Sequence, residues 1–257
     1  MLGTAEHTQY DLRFRLLGIP VRVSPWFWLI MLMLSGDGND TPWVVSFIAC
    51  AFLSILVHEY GHGLSSRAFG TEPEEIVLHG MGGYCLMAYS YRATWKQIVI
   101  LICGPGAGFL LFGLVVLAAS ATYQANPLDV LALSGIGSGT ENLREFLFKI
   151  MDQPVVERAL FQLLQINLWW GLLNLLPIWP LDGGRIAQVG LSHVSRRNGE
   201  RWGHVVSMVT AGILACYFLS VRDYWRTVWF GAFVFMNYQV LQGMHGSYRS
   251  GGGRWEY

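Results

Sequence analysis

The sequence has few charged residues and no excess of either sign. Only 13% of its 257 residues are Asp, Glu, Lys or Arg, whereas about 25% is usual for a soluble domain. The formal net charge is zero, so electrostatics give no case for a nucleic-acid partner or an acidic substrate. With 53% of residues hydrophobic, the composition is that of a polytopic membrane protein.

Disulfide and secretion signals are also missing. The four cysteines are scattered and none forms a C-x-x-C pair, so nothing in the sequence indicates a disulfide framework. Residues 1–23 are polar and carry arginines, and no small-residue cleavage site follows the apolar stretch at 26–34. We therefore predict no cleaved signal peptide.

Long apolar runs are what the chain does have. A membrane-spanning helix needs roughly 20 mostly apolar residues. Tryptophan and tyrosine at several ends of the runs fit the aromatic belts of membrane interfaces. The pattern predicts an all-α polytopic membrane protein with about six transmembrane helices, at approximately residues 21–35, 42–69, 95–121, 159–177, 202–220 and 225–243.

Basic residues predict the orientation of these spans. If the N-terminus is cytoplasmic and six spans alternate, twelve of the 17 Lys and Arg residues fall on the cytoplasmic side. Because cytoplasmic loops carry the excess of positive charge, we expect this orientation.

Three segments outside the spans have their own signals. Two short strand-like runs around glycines between Gly70 and Tyr91 predict a small β-hairpin after the second span, the alternative being a plain cytoplasmic loop. A polar external connection at 124–157 contains a short amphipathic pattern near 142–151. The glycine-rich tail, 246–257, is predicted to be flexible.

The second span contains the motif H-E-x-x-H. His58 and His62 are four residues apart, so on a helix both imidazoles lie on one face and can bind one metal ion. Glu59 beside them is a candidate general base that takes a proton from the attacking water. Ionisable groups at this depth are costly without partners, which favours a functional site.

The third ligand must come from elsewhere, because a catalytic zinc ion commonly takes three protein ligands. Asp182 is the best candidate. Pro177 and Pro180 precede it and cannot continue a regular helix, and Gly183 and Gly184 follow it and allow a tight turn. The alternative is that Asp182 is an ordinary turn residue. The predicted site therefore holds one zinc ion through His58, His62 and Asp182.

These motifs resemble those of the site-2 proteases, a family of intramembrane zinc metalloproteases. His58-Glu59-Tyr60-Gly61-His62 matches the first family motif, and Asn174-x-x-Pro177-x-x-Pro180-Leu181-Asp182-Gly183 matches the second. The resemblance covers residues 42–185, with flanking helices at 21–35 and 202–243, in one membrane-embedded metalloprotease domain over 1–257. The chain resembles the compact members of the family, since no PDZ or CBS domain fits in it. Family members often carry Gly-Pro-x-x-Asn on the third span, but Gly108 stands here in the place of that asparagine.

The resemblance implies an intramembrane zinc-dependent endopeptidase in a bacterial plasma membrane. Its substrate would be a single-span membrane protein, and its active site would lie toward the cytoplasm among lipid. Asn174 resembles the family asparagine thought to bind the substrate backbone or the oxyanion, and an interhelical structural hydrogen bond is the alternative role. The oligomeric state cannot be read from the sequence.

A helical peptide bond is shielded, so the substrate must be extended before attack. The hairpin edge near Gly82 and Gly83 could hold that strand by β-addition. The competing functions are a non-proteolytic zinc-binding scaffold and a metal transporter. A transporter usually places polar groups through the whole membrane depth, whereas here they cluster at one level.

Overall fold

The structure, a computed structural model, describes residues 7–36, 40–87 and 93–249. The chain forms two compact units. One comprises Met1–Ser90 with Ile102–Leu172, and the other comprises Tyr91–Leu101 with Leu173–Tyr257.

Nine helices and four strands are found in the described part of the chain. The strands are β1 (Leu12–Leu16), β2 (Ile19–Val23), β3 (Pro73–His79) and β4 (Gly82–Met87). The helices are α1 (Pro25–Leu34), α2 (Thr41–Ala68), α3 (Thr94–Tyr123), α4 (Pro127–Ala132), α5 (Leu143–Met151), α6 (Pro154–Asn174), α7 (Asp182–Val194), α8 (Gly199–Ser220) and α9 (Tyr224–Arg249).

The strands form one sheet in the order β1-β2-β3-β4. β3 and β4 are the predicted hairpin, and they pair antiparallel with His79 opposite Gly82. β1 and β2 have no clear signal in the sequence, and they form a second hairpin closed by Leu17 and Gly18, both with positive φ. β2 then pairs parallel with β3. β4 is an edge strand of this sheet.

The prediction of a first span at 21–35 is wrong in its bounds. Val21 to Val23 belong to β2, where they pair with Ile76 to Leu78 of β3. Only ten residues remain for α1, about half of what a bilayer requires. The apolar side chains that resembled the start of a span are instead buried in the core beneath the sheet, with Val21 and Val23 at most 1% exposed.

Three described helices, α2, α3 and α8, are long and apolar enough to cross a membrane. They correspond to the second, third and fifth predicted spans. α6 and α9 occupy the predicted fourth and sixth but do not meet this criterion among the described residues, so the count of six spans is not confirmed. On α3, Leu110, Leu114 and Leu117 are all more than half exposed at helical spacing, a face that suits lipid.

Two further predictions concern the connection before α6 and the C-terminal tail. The amphipathic helix expected near 142–151 is α5, whose Phe146 and Ile150 are buried in the core of the first unit. α9 continues to Arg249, beyond the expected end at 243. Residues 250–257, most of the tail predicted to be flexible, lie outside the described residues.

Candidate metal centre

Helix α2 carries the two histidines. The Asp40 side chain caps its start by accepting a hydrogen bond from the Trp43 amide at 3.2 Å, and Pro42 lies in its first turn. The apolar run that follows favours one continuous helix to Ala68, so His58 and His62 are placed one turn apart. They are 4% and 6% exposed, and their Nε2 atoms are 3.2 Å apart.

Two glycines let α3 approach the histidine-bearing part of α2. A Cβ atom at Gly61 would overlap the backbone carbonyl of Cys103. A Cβ atom at Gly104 would overlap the His62 ring, including its Nε2 atom. Gly104 therefore allows close packing against His62, because the imidazole occupies the space that a side chain would need. Gly106, in contrast, faces open space.

Asp182 is the first residue of α7 and is buried. A Cβ atom at Gly183 would overlap the carbonyls of Leu175 and Leu176, and one at Gly184 would overlap the Ile178 carbonyl. The proline-interrupted segment thus lies directly across the first turn of α7. This close approach requires glycine at both positions. It fixes the start of α7 and therefore the position of the Asp182 carboxylate.

The three predicted ligands come together. One ligand atom each of His58, His62 and Asp182 lie within 4.8 Å of one another, and all three residues are buried. Zinc bonds of about 2.0–2.1 Å in a tetrahedron place two ligand nitrogens about 3.3 Å apart, close to the observed separation of the two Nε2 atoms. Two imidazoles and one carboxylate are also a donor set that zinc prefers. These residues could hold one zinc ion.

The candidate base, Glu59, is 3% exposed and lies against strand β4. A Cβ atom built on Gly83 would be only 2.7 Å from a Glu59 carboxylate oxygen. Gly83, predicted to bind substrate, therefore makes room for this carboxylate. Gly82 has φ of +123°, and a Cβ atom built on it would be 3.0 Å from the Trp170 ring, so it is constrained by both its backbone and a neighbour.

Two titratable side chains of the hairpin, Cys85 and His79, have pKa values shifted toward their neutral forms. Burial raises the pKa of Cys85 to about 12, and the nearby charge of Glu59 acts in the same direction. Burial and the Arg22 charge lower the pKa of His79 below its usual value. His79 Nδ1 accepts a hydrogen bond from the Met81 amide within the hairpin turn.

Asn174 and Asn167 lie on α6, two turns apart. Asn174 is the last residue of the helix and is buried. Asn167 Nδ2 donates to Ser54 Oγ at 2.8 Å, which links α6 to α2 one turn from His58. A Cβ atom at Gly108 would be 3.7 Å from Asn167 Oδ1. An asparagine from another helix therefore lies beside the position where the third-span asparagine is absent.

Sequence reasoning missed the polar side chains of α8 and α9. His204, Ser207 and Asn237 are almost fully buried and hydrogen bonded around Trp179. The signal was present, because a histidine and an asparagine inside predicted spans are costly unless they have partners. Their partners, however, are distant in the sequence.

The fold is that of a site-2 protease. The solved structure of the site-2 protease from Methanocaldococcus jannaschii matches with a TM-score of 0.60 and 22% sequence identity. The match covers 90% of this chain and 95% of that one. At this level of sequence identity, the structural similarity supports the fold alone.

The chain belongs to peptidase family M50, whose sequence pattern matches residues 46–218. A Synechocystis sp. protein named as a candidate zinc metalloprotease is 28% identical over 247 residues, covering 86% of this chain and 57% of the relative. A zinc metalloprotease of Methanocaldococcus jannaschii is 29% identical over 187 residues, covering 71% and 46%. The chain thus spans about half the length of these curated relatives.

Proposed function

We propose that the protein is an intramembrane zinc-dependent endopeptidase that hydrolyses a peptide bond of a membrane-spanning substrate. The observation that carries the proposal is the grouping of His58, His62 and Asp182, with Glu59 adjacent to His58 on the same helix. Membership of a peptidase family supports it.

The residues have distinct roles in this reaction. His58, His62 and Asp182 hold the metal ion, which when bound supplies a Lewis acid that polarises the scissile carbonyl and activates the attacking water. Glu59 accepts the proton of that water and delivers it to the leaving amine. Asn174 donates a hydrogen bond to the substrate backbone or the oxyanion.

The sheet offers a place for the substrate. β4 is an edge strand of the described sheet, so its outer backbone groups can pair with an extended peptide. Because Gly83 of this strand contacts the Glu59 carboxylate, a peptide on this edge lies beside the base. The substrate that this arrangement fits is a single-span membrane protein that unwinds locally.

The charge bias supports a cytoplasmic N-terminus and a site toward the cytoplasmic side of a bacterial plasma membrane. The competing functions are a non-proteolytic zinc-binding scaffold and a metal transporter. A non-proteolytic scaffold has no need of a carboxylate beside the metal-binding histidines, yet Glu59 is buried there. A transporter usually places polar groups through the whole membrane depth, whereas the predicted site lies at one level.

Glu59→Gln tests the proposal. We expect this variant to keep wild-type zinc content and to lose cleavage, because glutamine cannot accept the proton of water. Quantitative proteomics of membrane fractions from cells carrying wild type or the variant should reveal a single-span protein that accumulates only with the variant. Retained cleavage would remove Glu59 from the mechanism.

Asp182→Ala tests the ligand set. Removing one of three protein ligands should lower zinc occupancy, as measured by metal analysis of the purified protein. Full occupancy in Asp182→Ala would exclude this carboxylate from the metal centre and favour a different site.

A further inference from the structure

We propose that side chains of α7, α8 and α9 form a positioning network for Asp182. The network consists of Gln188, His204, Ser207 and Asn237. It makes α8 and α9 part of the metal centre, in addition to any role in crossing the membrane. The proposal rests on the metal-binding role of Asp182 proposed above.

The network ends on the backbone of one residue, Trp179, at its N–H and its carbonyl. This residue lies between Pro177 and Pro180, where no regular helix can satisfy the backbone. Its N–H donates to Ser207 Oγ at 2.9 Å, and its carbonyl accepts from Asn237 Nδ2 at 2.8 Å. Backbone groups freed by a helix break inside a membrane protein need such partners. Two helices supply them with side chains.

The hydrogen bonds of Asn237 determine which groups donate and which accept in the rest of the network. Asn237 Nδ2 also donates to the Phe233 carbonyl, which leaves Oδ1 as the acceptor. His204 Nδ1 lies 2.7 Å from this Oδ1, and because an amide oxygen can only accept, Nδ1 is the donor of this hydrogen bond. His204 Nε2 is then an acceptor, and Gln188 Nε2 donates to it at 2.9 Å. Gln188 therefore orients the His204 ring, and the ring orients the Asn237 amide.

Three of the four members of the network are buried, and Gln188 is half-buried. His204 is 2% exposed, and Ser207 and Asn237 are completely buried. The Trp179 ring packs edge-on against the His204 ring with centroids 5.3 Å apart. Polar groups in such surroundings rigidify a region when all are satisfied.

The position of Trp179 is transmitted to Asp182 by direct packing. A Cβ atom at Gly184 would overlap the Trp179 amide nitrogen and the Ile178 carbonyl. The first turn of α7 therefore lies in contact with the peptide groups that the network holds. Asp182 is in that same turn, two residues before Gly184. Movement of residues 178–179 must move or loosen the carboxylate.

Asn237→Leu in the full-length protein tests the proposal. Leucine has a similar size but can neither donate to Trp179 nor accept from His204. Partners that orient a metal ligand typically contribute 10–100-fold to metal affinity. We expect the zinc affinity of the detergent-solubilised protein, measured by competition with a chelator, to fall about tenfold or more.

Gln162→Leu is the matched control. Gln162 is 2% exposed and donates to the Trp43 carbonyl at 3.2 Å, so the change again removes a buried amide from a tryptophan carbonyl. Its other partner, Ser46, is 12 residues from His58 on α2, about 18 Å along the helix. The control should lose thermal stability without a change in zinc affinity. An equal loss of affinity in both variants would overturn the proposal.

A double-mutant cycle with Asp182→Ala separates the network from the ligand assignment. If the network acts through Asp182, Asn237→Leu will have no further effect on zinc affinity in the Asp182→Ala protein. Full additivity of the two losses would overturn the network proposal while Asp182 remains a ligand. If Asp182→Ala alone leaves affinity unchanged, the proposed metal centre itself fails.

Ser207→Ala provides a milder variant should Asn237→Leu not fold. It removes the acceptor of the Trp179 N–H with almost no change in volume. We expect a several-fold loss of zinc affinity that is also absent in the Asp182→Ala background. A wild-type affinity for Ser207→Ala would contradict the network.

Discussion

At the scale of single residues, missing side chains shape the metal centre as much as the ligands do. Gly104 leaves the space in which the His62 ring lies, and Gly83 leaves the space for the Glu59 carboxylate. Gly183 and Gly184 allow the backbone to fold across the start of α7. Four glycines thus define where the three kinds of functional side chain can be.

Gly104→Ala is expected to weaken zinc binding. The added methyl group would overlap the His62 ring, and because the neighbouring atoms belong to a buried helix interface, the imidazole must turn away. We expect at least a tenfold loss of zinc affinity in a chelator competition, the size typical for disturbed ligand orientation.

Gly106→Ala is the control for this change. It lies on the same helix two residues later, and no atom lies within 4 Å of the added Cβ. It should keep zinc affinity and gain up to about 1 kcal/mol of helix stability. Equal zinc affinities of Gly104→Ala and Gly106→Ala would show that the packing of residue 104 against the His62 ring does not affect metal binding.

At the scale of elements, the N-terminal hairpin is held to the sheet by a buried arginine. Arg22 of β2 is 2% exposed; its Nη1 donates to Asp11 at 3.2 Å and its Nε donates to Glu75 of β3 at 3.1 Å. Burial acts to lower the pKa of Arg22, but the two carboxylates outweigh it and raise the pKa. The ion pairs connect two strands and the segment before β1.

Asp11→Asn should reduce stability in a pH-dependent way. Burial acts to raise the Asp11 pKa, but hydrogen bonds from Thr8 and Arg22 outweigh it and lower the pKa below its usual value. The stabilisation by the carboxylate is therefore complete above about pH 5 and is lost as the pH falls through the lowered pKa. We expect a loss of about 1–2 kcal/mol at pH 7.

Thermal unfolding of the detergent-solubilised protein checks this expectation. The difference in Tm between wild type and Asp11→Asn should narrow as the pH falls below about 4. Glu145→Gln is a control, since it breaks the exposed pair with Lys149 and should cost only a few tenths of a kcal/mol. A difference for Asp11→Asn that persists unchanged at low pH would contradict a role of its charge.

The two hairpins show how far an element can be predicted. β3 and β4 were predicted because their strand-like runs flank a glycine-rich turn. β1 and β2 were not, since Leu17-Gly18 is a weak turn signal and Val21 to Val23 look like the start of an apolar span. Pairing of β2 with a strand fifty residues later decides the matter, and such a contact leaves no local mark.

At the scale of the whole molecule, the membrane topology is open to a direct test. The charge bias predicts that the connection after α3 is external and that the connection between α7 and α8 is cytoplasmic. In a cysteine-free background, Ser138→Cys should react with a membrane-impermeant maleimide in intact cells. Arg196→Cys should react only after permeabilisation. Both positions are exposed, so the opposite labelling pattern would invert the topology.

The sequence by itself determined the chemical nature of the site. The His58–His62 spacing, the adjacent Glu59 and the proline- and glycine-flanked Asp182 are local patterns. Helical geometry turns them into a candidate ligand pair and a carboxylate that could complete the site. The apolar runs likewise determined the bounds of α2, α3 and α8 to within a few residues, because burial in lipid depends on composition and length.

Only the tertiary structure decided what surrounds and holds these groups. Three kinds of contact join residues far apart in the chain: the packing of Gly104 against His62, the close approach of Gly184 to the Trp179 amide, and the hydrogen bonds of Trp179 with Ser207 and Asn237. They depend on packing between helices, where a displacement of one ångström exchanges one partner for another. Local patterns specify which groups need partners, and the fold selects those partners.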